Sequence, residues 1–267
     1  MHENERHRVI LSAVEAKPFV SVAEMVEMTE SSEATIRRDI ATLHMQKKLR
    51  RVRGGAESVA PPAVIGLAGR PFSVNLSKNA RQKRAIGRAA VALVEDGESI
   101  IINGGTTTFQ MVHPLATRRC QVFTNSFPIA EHLLRQTKNT VVLPGGTIYR
   151  EQNIILSPFD NDVTRNFYAR CMFMGCQGIA PIGIMEPDPL VIQSEQKLIG
   201  QADKVVILAD STKFEKRSSL ILCPLAQVDT VITDDRVTDA HAAMLESAGV
   251  TLIVAPAGAD EEEADAG

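Results

Sequence analysis

Cysteine is scarce in this 267-residue chain: the four residues Cys120, Cys171, Cys176 and Cys223 are too few and too scattered for a disulfide scaffold. None forms a CxxC pair, so a zinc knuckle is excluded, no metal or cofactor is expected, and the thiols read as buried core residues. Long apolar runs are missing as well. No stretch approaches the roughly 20 residues that a membrane helix needs, and the opening MHENERHRVI is polar where a signal peptide is apolar, so the expectation is a cytoplasmic protein without a membrane partner. Tryptophan is absent and tyrosine occurs only at Tyr149 and Tyr168, which leaves intrinsic fluorescence a poor ligand probe. A large excess of one charge is lacking too, the net being −3. With 44% hydrophobic and 23% charged residues, the composition is that of an ordinary folded protein, long enough for two domains.

The small net charge hides segregation. Between Thr35 and Arg53 stand Arg37, Arg38, Lys47, Lys48, Arg50, Arg51 and Arg53 against the single acid Asp39, whereas residues 260–267 carry acids only and read as a disordered tail. Ahead of the basic stretch, Val9, Ile10, Ala13 and Val14 recur at helical spacing, and Pro18 ends that helix. Ser21 with Glu24 makes a capping box for a second short helix running to about Met28. After a polar gap, Ser32 caps a third helix whose inner face holds Ile36, Ile40 and Leu43 and whose outer face holds Thr35, Arg37 and Arg38. Two short helices joined by a tight turn, the second outwardly basic, match what a DNA major groove admits. Residues 47–55 then alternate basic with apolar and close on Gly54-Gly55, as a β-hairpin wing along a phosphate backbone does.

This segment resembles the DeoR family of bacterial transcription regulators. The residues that carry the resemblance are Arg6, Ile10, Val14, Ser32 and the run Thr35-Ile36-Arg37-Arg38-Asp39-Ile40, followed by Leu49 to Ala56. It implies that Ser32, Thr35, Arg37 and Arg38 approach double-stranded operator DNA, with Arg51 and Arg53 on phosphates. A carboxylate is repelled by phosphates, so Asp39 is expected to pair with a neighbouring base instead.

Residues 58–80, rich in proline and glycine, read as a linker between a domain at 1–57 and a second at 81–259. From Arg81 onward helices alternate with short apolar runs: Ser99–Ile102, Gln121–Phe123, Thr140–Leu143, Met172–Met174, Lys204–Ala209, Thr230–Thr233 and Thr251–Val254. Helices are expected at 81–94, 108–115, 128–136, 194–202 and 239–248. The fold class is thus α/β, a winged helix-turn-helix followed by a larger domain with a mainly parallel sheet. Ligands of such sheets bind beyond the carboxyl ends of the strands.

Four loops at those ends share a chemistry. Asn103-Gly104-Gly105-Thr106-Thr107 offers glycines and hydroxyls at a helix start, where an anion is favoured. Thr124-Asn125 and Gly145-Gly146 add hydroxyl, amide and close-approach backbone. Asp210 and Lys213 supply an acceptor for sugar hydroxyls and a point charge for a phosphate. The DeoR family's effector domain is similar to ribose-5-phosphate isomerase and carries corresponding loops, which implies that Gly105, Thr106, Thr107, Thr124, Asn125, Gly145, Gly146 and Lys213 line a pocket for a phosphorylated sugar. In two places the chain departs from the family: Asn103 stands where an aspartate is usual, and Ser157 where a glycine is.

The competing reading is a phosphosugar isomerase with an accessory helical domain. Its general base is missing from Gly175-Cys176-Gln177-Gly178, no His or Lys neighbours Cys176 to activate it, and the remaining acid, Glu195, reads as a helix-surface charge. A sensor whose helical domain holds protein rather than DNA is disfavoured by the basic wing. The expectation is therefore a non-enzymatic regulator, most simply a repressor of a carbohydrate-utilisation operon. A recognition helix spans only a few base pairs, so a homo-oligomer, dimer or higher, is expected.

Overall fold

The computed structural model describes residues 2–16, 19–58, 72–159 and 162–258. Pro18, most of the expected linker and the acidic tail lie outside the described residues. The chain divides into two compact units, Met1–Gly66 and Leu67–Gly267.

The first unit runs α1 (Glu3–Ala16), β1 (Val20–Ser21), α2 (Val22–Thr29), α3 (Glu33–Met45), β2 (Leu49–Val52) and β3 (Gly55–Ser58). Its helices stop and start where local chemistry dictates. Ser21 and Glu24 close the capping box on α2, Glu30 ends that helix in the left-handed region (φ 50°), and the Ser32 hydroxyl accepts from the Thr35 amide to start α3. The apolar faces read from the sequence meet in one core, with Ile10, Met25, Ile36, Leu43 and Leu49 at 0–1% exposure. Each such burial contributes about 1.5–3 kcal/mol. The strands form a small antiparallel sheet, ordered β1-β3-β2, in which Val52 pairs with Gly55 across a two-residue turn and Gly54 takes φ 84°. Gly55 has a different constraint: a Cβ there lies 2.1 Å from the Val20 carbonyl oxygen, so only glycine lets β3 pair with β1.

The second unit begins inside the segment read as linker. α4 (Phe72–Leu76) is helical and Asn79 leads into α5 (Ala80–Val91), so the linker reading fails for residues 72–79. Then follow β4 (Ser99–Ile102), β5 (Gln121–Thr124), α6 (Phe127–Gln136), β6 (Thr140–Val142), β7 (Thr147–Tyr149), β8 (Ile154–Leu156), β9 (Ala169–Met174), β10 (Gly178–Ala180) and β11 (Gly183–Glu186). The chain continues through α7 (Pro189–Ile199), β12 (Ala202–Leu208), β13 (Leu220–Cys223), β14 (Thr230–Asp234), α8 (Asp239–Ser247) and β15 (Thr251–Ala255). The helix expected over 108–115 is replaced by two short 3-10 turns, Thr108–Met111 and Pro114–Thr117, the second opened by Pro114, which has no amide to continue a helix. The helix expected from Ser194 starts five residues earlier, where Asp188 caps Pro189-Leu190.

Seven strands form a parallel sheet in the order β15-β14-β12-β9-β4-β5-β6. Alternation along each strand divides the core in two: Ile101, Met172, Met174, Val205 and Ile207 face one side, and Ile100, Ile102, Phe173, Val206 and Leu208 the other. Helices α7 and α8 cover the first side through Leu198 and Leu245, α5 and α6 the second through Ile86, Ile129 and Leu133. Burial on both faces is why these strands read as continuous apolar runs. The connection order reverses between β4 and β9: β4 leads to β5 and β6 in one direction, β9 to β12, β14 and β15 in the other. Loops leaving adjacent strands at such a point diverge and leave a crevice at the carboxyl edge.

Candidate functional site

In the first unit, α3 turns Ile36, Asp39, Ile40 and Leu43 inward and leaves Ser32, Arg37 and Arg38 exposed, with Thr35 half-buried. Asp39 is held from behind: Arg6 Nε donates to Oδ2 at 2.6 Å, Arg6 Nη2 to Oδ1 at 3.2 Å, and His7 Nε2 lies 3.1 Å from Oδ1. Burial pushes the Asp39 carboxyl up, but the hydrogen bonds from Arg6 and His7 outweigh it and hold the group below its ordinary value. The one acid of the basic stretch is thus withdrawn from the outer surface, as its charge requires. Arg37 pairs with Glu33 one turn back at 2.6 Å, both side chains more than half exposed, a pair of little stability that a stronger anion displaces. On the wing, Arg50 pairs with Glu57. Among the described residues Arg38, Arg51 and Arg53 are exposed cations with no ion pair, and Arg37, His44, Arg51 and Arg53 line one cleft between α3 and the wing.

In the second unit the β4 loop, the β5 loop and helix α7 are tied together at the carboxyl edge of the sheet, where the connection order reverses. Asn103, 1% exposed, is pinned at the switch point by its amide donating to the Phe173 carbonyl at 2.9 Å. Its Nδ2 donates to Glu195 Oε1, and the Gly104 amide donates to Asn125 Oδ1 at 2.8 Å, which ties the β4 loop to both α7 and the β5 loop. Thr108 Oγ1 bridges the carbonyls of Asn103 and Gly105 and sets the curve of the loop. A Cβ on Gly104 lies 2.3 Å from Ile154 Cγ2, so β8 packs directly against this backbone.

Two lysines stand close enough for their charges to interact. Lys83, on α5 and 4% exposed, donates to Thr106 Oγ1 at 2.9 Å and to the Asn75 carbonyl at 2.5 Å. Burial lowers its pKa to about 8, with the Asp210 charge opposing and the Lys213 charge adding to the shift. Lys213 Nζ donates to Gln177 Oε1 at 3.1 Å, while Asp210 accepts from Asn79 Nδ2 at 3.1 Å and from the Thr212 amide and hydroxyl. Asn103, Gly104, Thr106 and Asn125 are thus tied together through the β4 loop, and Asp210 and Lys213 act on Lys83 through their charges. Thr107 and Thr124 are buried, the latter accepting from the Ser126 amide. Gly145 and Gly146, at φ 72° and 126°, form the turn into β7, with Gly146 backed against the Leu156 carbonyl oxygen.

Sequence reasoning missed Lys83, Glu186 and Asp188, and it misplaced Glu195. Far from being a surface charge, Glu195 is 4% exposed, on the inward face of α7. Burial and then the Glu186 charge raise its pKa well above the ordinary carboxylate range, against the Asn103 hydrogen bond. Glu186 is raised to about 7 by burial, against the pull of Lys213. Periodicity held one signal: Val191, Glu195 and Leu198 share the face that packs inward. Burial also pushes the Cys176 thiol up to about 12, so it supplies no thiolate nucleophile. All four cysteines are free and buried, and among the described residues no group of His, Cys, Asp or Glu is arranged to hold a metal ion.

Residues 6–61 match the model of the DeoR-like helix-turn-helix domain, and residues 78–235, more than half of the chain, match the DeoR C terminal sensor domain. The chain belongs to the DeoR family. Its relatives include the HTH-type transcriptional regulator UlaR of Shigella dysenteriae serotype 1 (strain Sd197), 32% identical over 254 residues that cover 95% of this chain and 99% of that protein. The regulator of the same name from Escherichia coli (strain K12 / DH10B) is equally similar, at 32% over 254 residues and the same coverage. Among solved structures, ribose 5-phosphate isomerase A of Methanocaldococcus jannaschii covers 51% of this chain and 55% of its own at 16% identity and a TM-score of 0.39, too remote to bear on function. This DeoR-family member is a DNA-binding transcriptional regulator with a sensor domain, not an enzyme, and no helix among its described residues is long and apolar enough to cross a membrane.

Proposed function

We propose that the protein is a repressor of a carbohydrate-utilisation operon, acting in the cytoplasm as a homo-oligomer and controlled by a phosphorylated sugar bound in the sensor unit. In this reading residues 1–57 hold the operator, the part of 58–80 that precedes α4 links, 81–259 sense and 260–267 form a tail. Ser32, Thr35, Arg37 and Arg38 meet the major groove, and Arg51 and Arg53 meet phosphates along the wing. The observation that carries the effector assignment is the pair of lysines, Lys83 and Lys213, set at the carboxyl edge of the sheet beside Thr106 and the Asn103 loop. Cations suit a phosphate, and the amides and carboxyls next to them suit hydroxyls. Such a ligand alters DNA binding only by its difference in affinity between the DNA-competent and DNA-incompetent arrangements.

The test is binding of the full-length protein to a duplex from upstream of its own gene against a scrambled duplex, at about 150 mM salt where non-specific attraction is weak. Preference for the first duplex, weakened by at least one member of a panel of triose to hexose phosphates, is the expected result. Equal binding to both duplexes overturns the operator assignment, and a complex indifferent to the whole panel overturns the effector assignment.

A further inference from the structure

Five side-chain atoms among the described residues are buried without any hydrogen-bond partner, and three of them stand together: Asn103 Oδ1, Asn125 Nδ2 and Glu195 Oε2. Asn103 and Glu195 are joined through their other atoms, and Asn125 is joined to the next residue of the same loop, Gly104. Each residue is thus held in place by one polar atom while the second polar atom has nothing to bond. An unmade buried hydrogen bond costs stability, so three in one spot mark a place where the folded chain gives it up. They stand at the carboxyl ends of β4 and β5, beside the loop that Lys83 holds through Thr106. The set is an amide oxygen, an amide nitrogen and a carboxyl oxygen, all on rigid supports: the end of β4, the end of β5 and helix α7.

Asn103 makes the arrangement possible. Its amide donates to the Glu195 carboxyl, which an aspartate carboxylate cannot do. A second negative group at this position also sets two carboxylates against each other, beside Glu186 and Asp188, whose charges already raise the Glu195 pKa.

We propose that Glu195, through Oε2, reads hydroxyls of a phosphorylated polyol together with Asn103 Oδ1 and Asn125 Nδ2, and so sets which sugar phosphate the sensor accepts. The inference rests on the phosphosugar reading above and adds the residue that discriminates among phosphosugars. The lysines hold the phosphate, which is common to every candidate. Glu195 meets the part that differs. A site built to hydrogen-bond a hydroxyl rejects a ligand lacking it far more strongly than an apolar wall does.

The experiment measures affinities of the full-length wild type, Glu195→Gln and Glu195→Ala for inorganic phosphate and for the same panel of triose to hexose phosphates, by calorimetry and competition. Glu195→Gln keeps the side-chain volume and the oxygen that Asn103 bonds, and replaces only the second carboxyl oxygen by an amide nitrogen, so it secures the fold should Glu195→Ala fail. In the wild type at least one panel member is expected to bind tenfold or more tighter than inorganic phosphate. In both variants that excess is expected to fall at least tenfold while inorganic phosphate binds unchanged. Unchanged polyol affinity in the variants overturns the role of Glu195 and leaves the phosphosugar reading intact. Equal losses for polyol and inorganic phosphate also overturn it, because a merely structural residue perturbs the whole pocket. If no panel member binds the wild type better than inorganic phosphate, the phosphosugar reading falls, and the inference with it.

Discussion

In the proposed reading Arg37 and Lys213 serve the two halves of the function in separate units, so each half is removable alone. Arg37→Ala takes a guanidinium from the exposed face of α3 and gives up only a surface pair with Glu33. Operator affinity is expected to fall by about 1–3 kcal/mol in a gel-shift titration, with thermal stability and effector binding unchanged. Lys213→Ala is expected to do the reverse, leaving operator affinity intact while the phosphosugar no longer weakens the complex. Lys83 adds a pH dependence. Its folded pKa of about 8 lies below the ordinary 10.5, so between those values the unfolded chain holds a proton that the folded chain has lost, and stability rises with pH across that window. Anion binding runs the other way, because the folded pocket loses a positive charge as pH passes 8. Phosphosugar affinity measured by calorimetry is expected to fall from pH 7 to pH 9, and to fall less in Lys83→Met.

Among the elements, the wing depends on one close approach. Gly55 has no positive φ, yet a Cβ there would sit 2.1 Å from the Val20 oxygen and against the Phe19 ring, so Gly55→Ala forces β3 away from β1. Overpacking of this kind costs about 1–3 kcal/mol. A lower melting temperature of the first unit and weaker operator binding are expected, checked by calorimetric melting and gel shift, with effector binding by the sensor unit unaffected. The short elements β7 and β8 and the antiparallel sheet β10-β11-β13 were not read from the sequence. Each is three or four residues long, with too few alternations to separate a strand from a loop. The 3-10 turns that replace the helix at 108–115 show the same limit, since Pro114 breaks a pattern too short to resist it.

At the scale of the whole molecule, a single α3 spans only a few base pairs, and the proposed function therefore calls for at least two copies on one operator. Sedimentation equilibrium of the full-length protein at micromolar concentration is expected to give a dimer or a larger closed assembly. A monomer there, with operator preference retained, would remove oligomerisation from the proposed mechanism.

Composition and local pattern determined a great deal without coordinates: two folded parts, the capped helices of the first, the basic outer face of α3, and the strand-end loops with their hydroxyls and Lys213. These follow from spacing and from short-range bonds, which the sequence displays directly. Tertiary structure decided what depends on residues distant in the chain. Asp39 meets Arg6 from 33 residues away, Lys83 reaches Thr106 across 23, and Glu195 comes to Asn103 across 92. Whether an acid such as Glu195 is a solvated helix charge or a buried group bonded to Asn103 is set by which helix face is covered, and that is fixed only when α7 packs against β12 and β13.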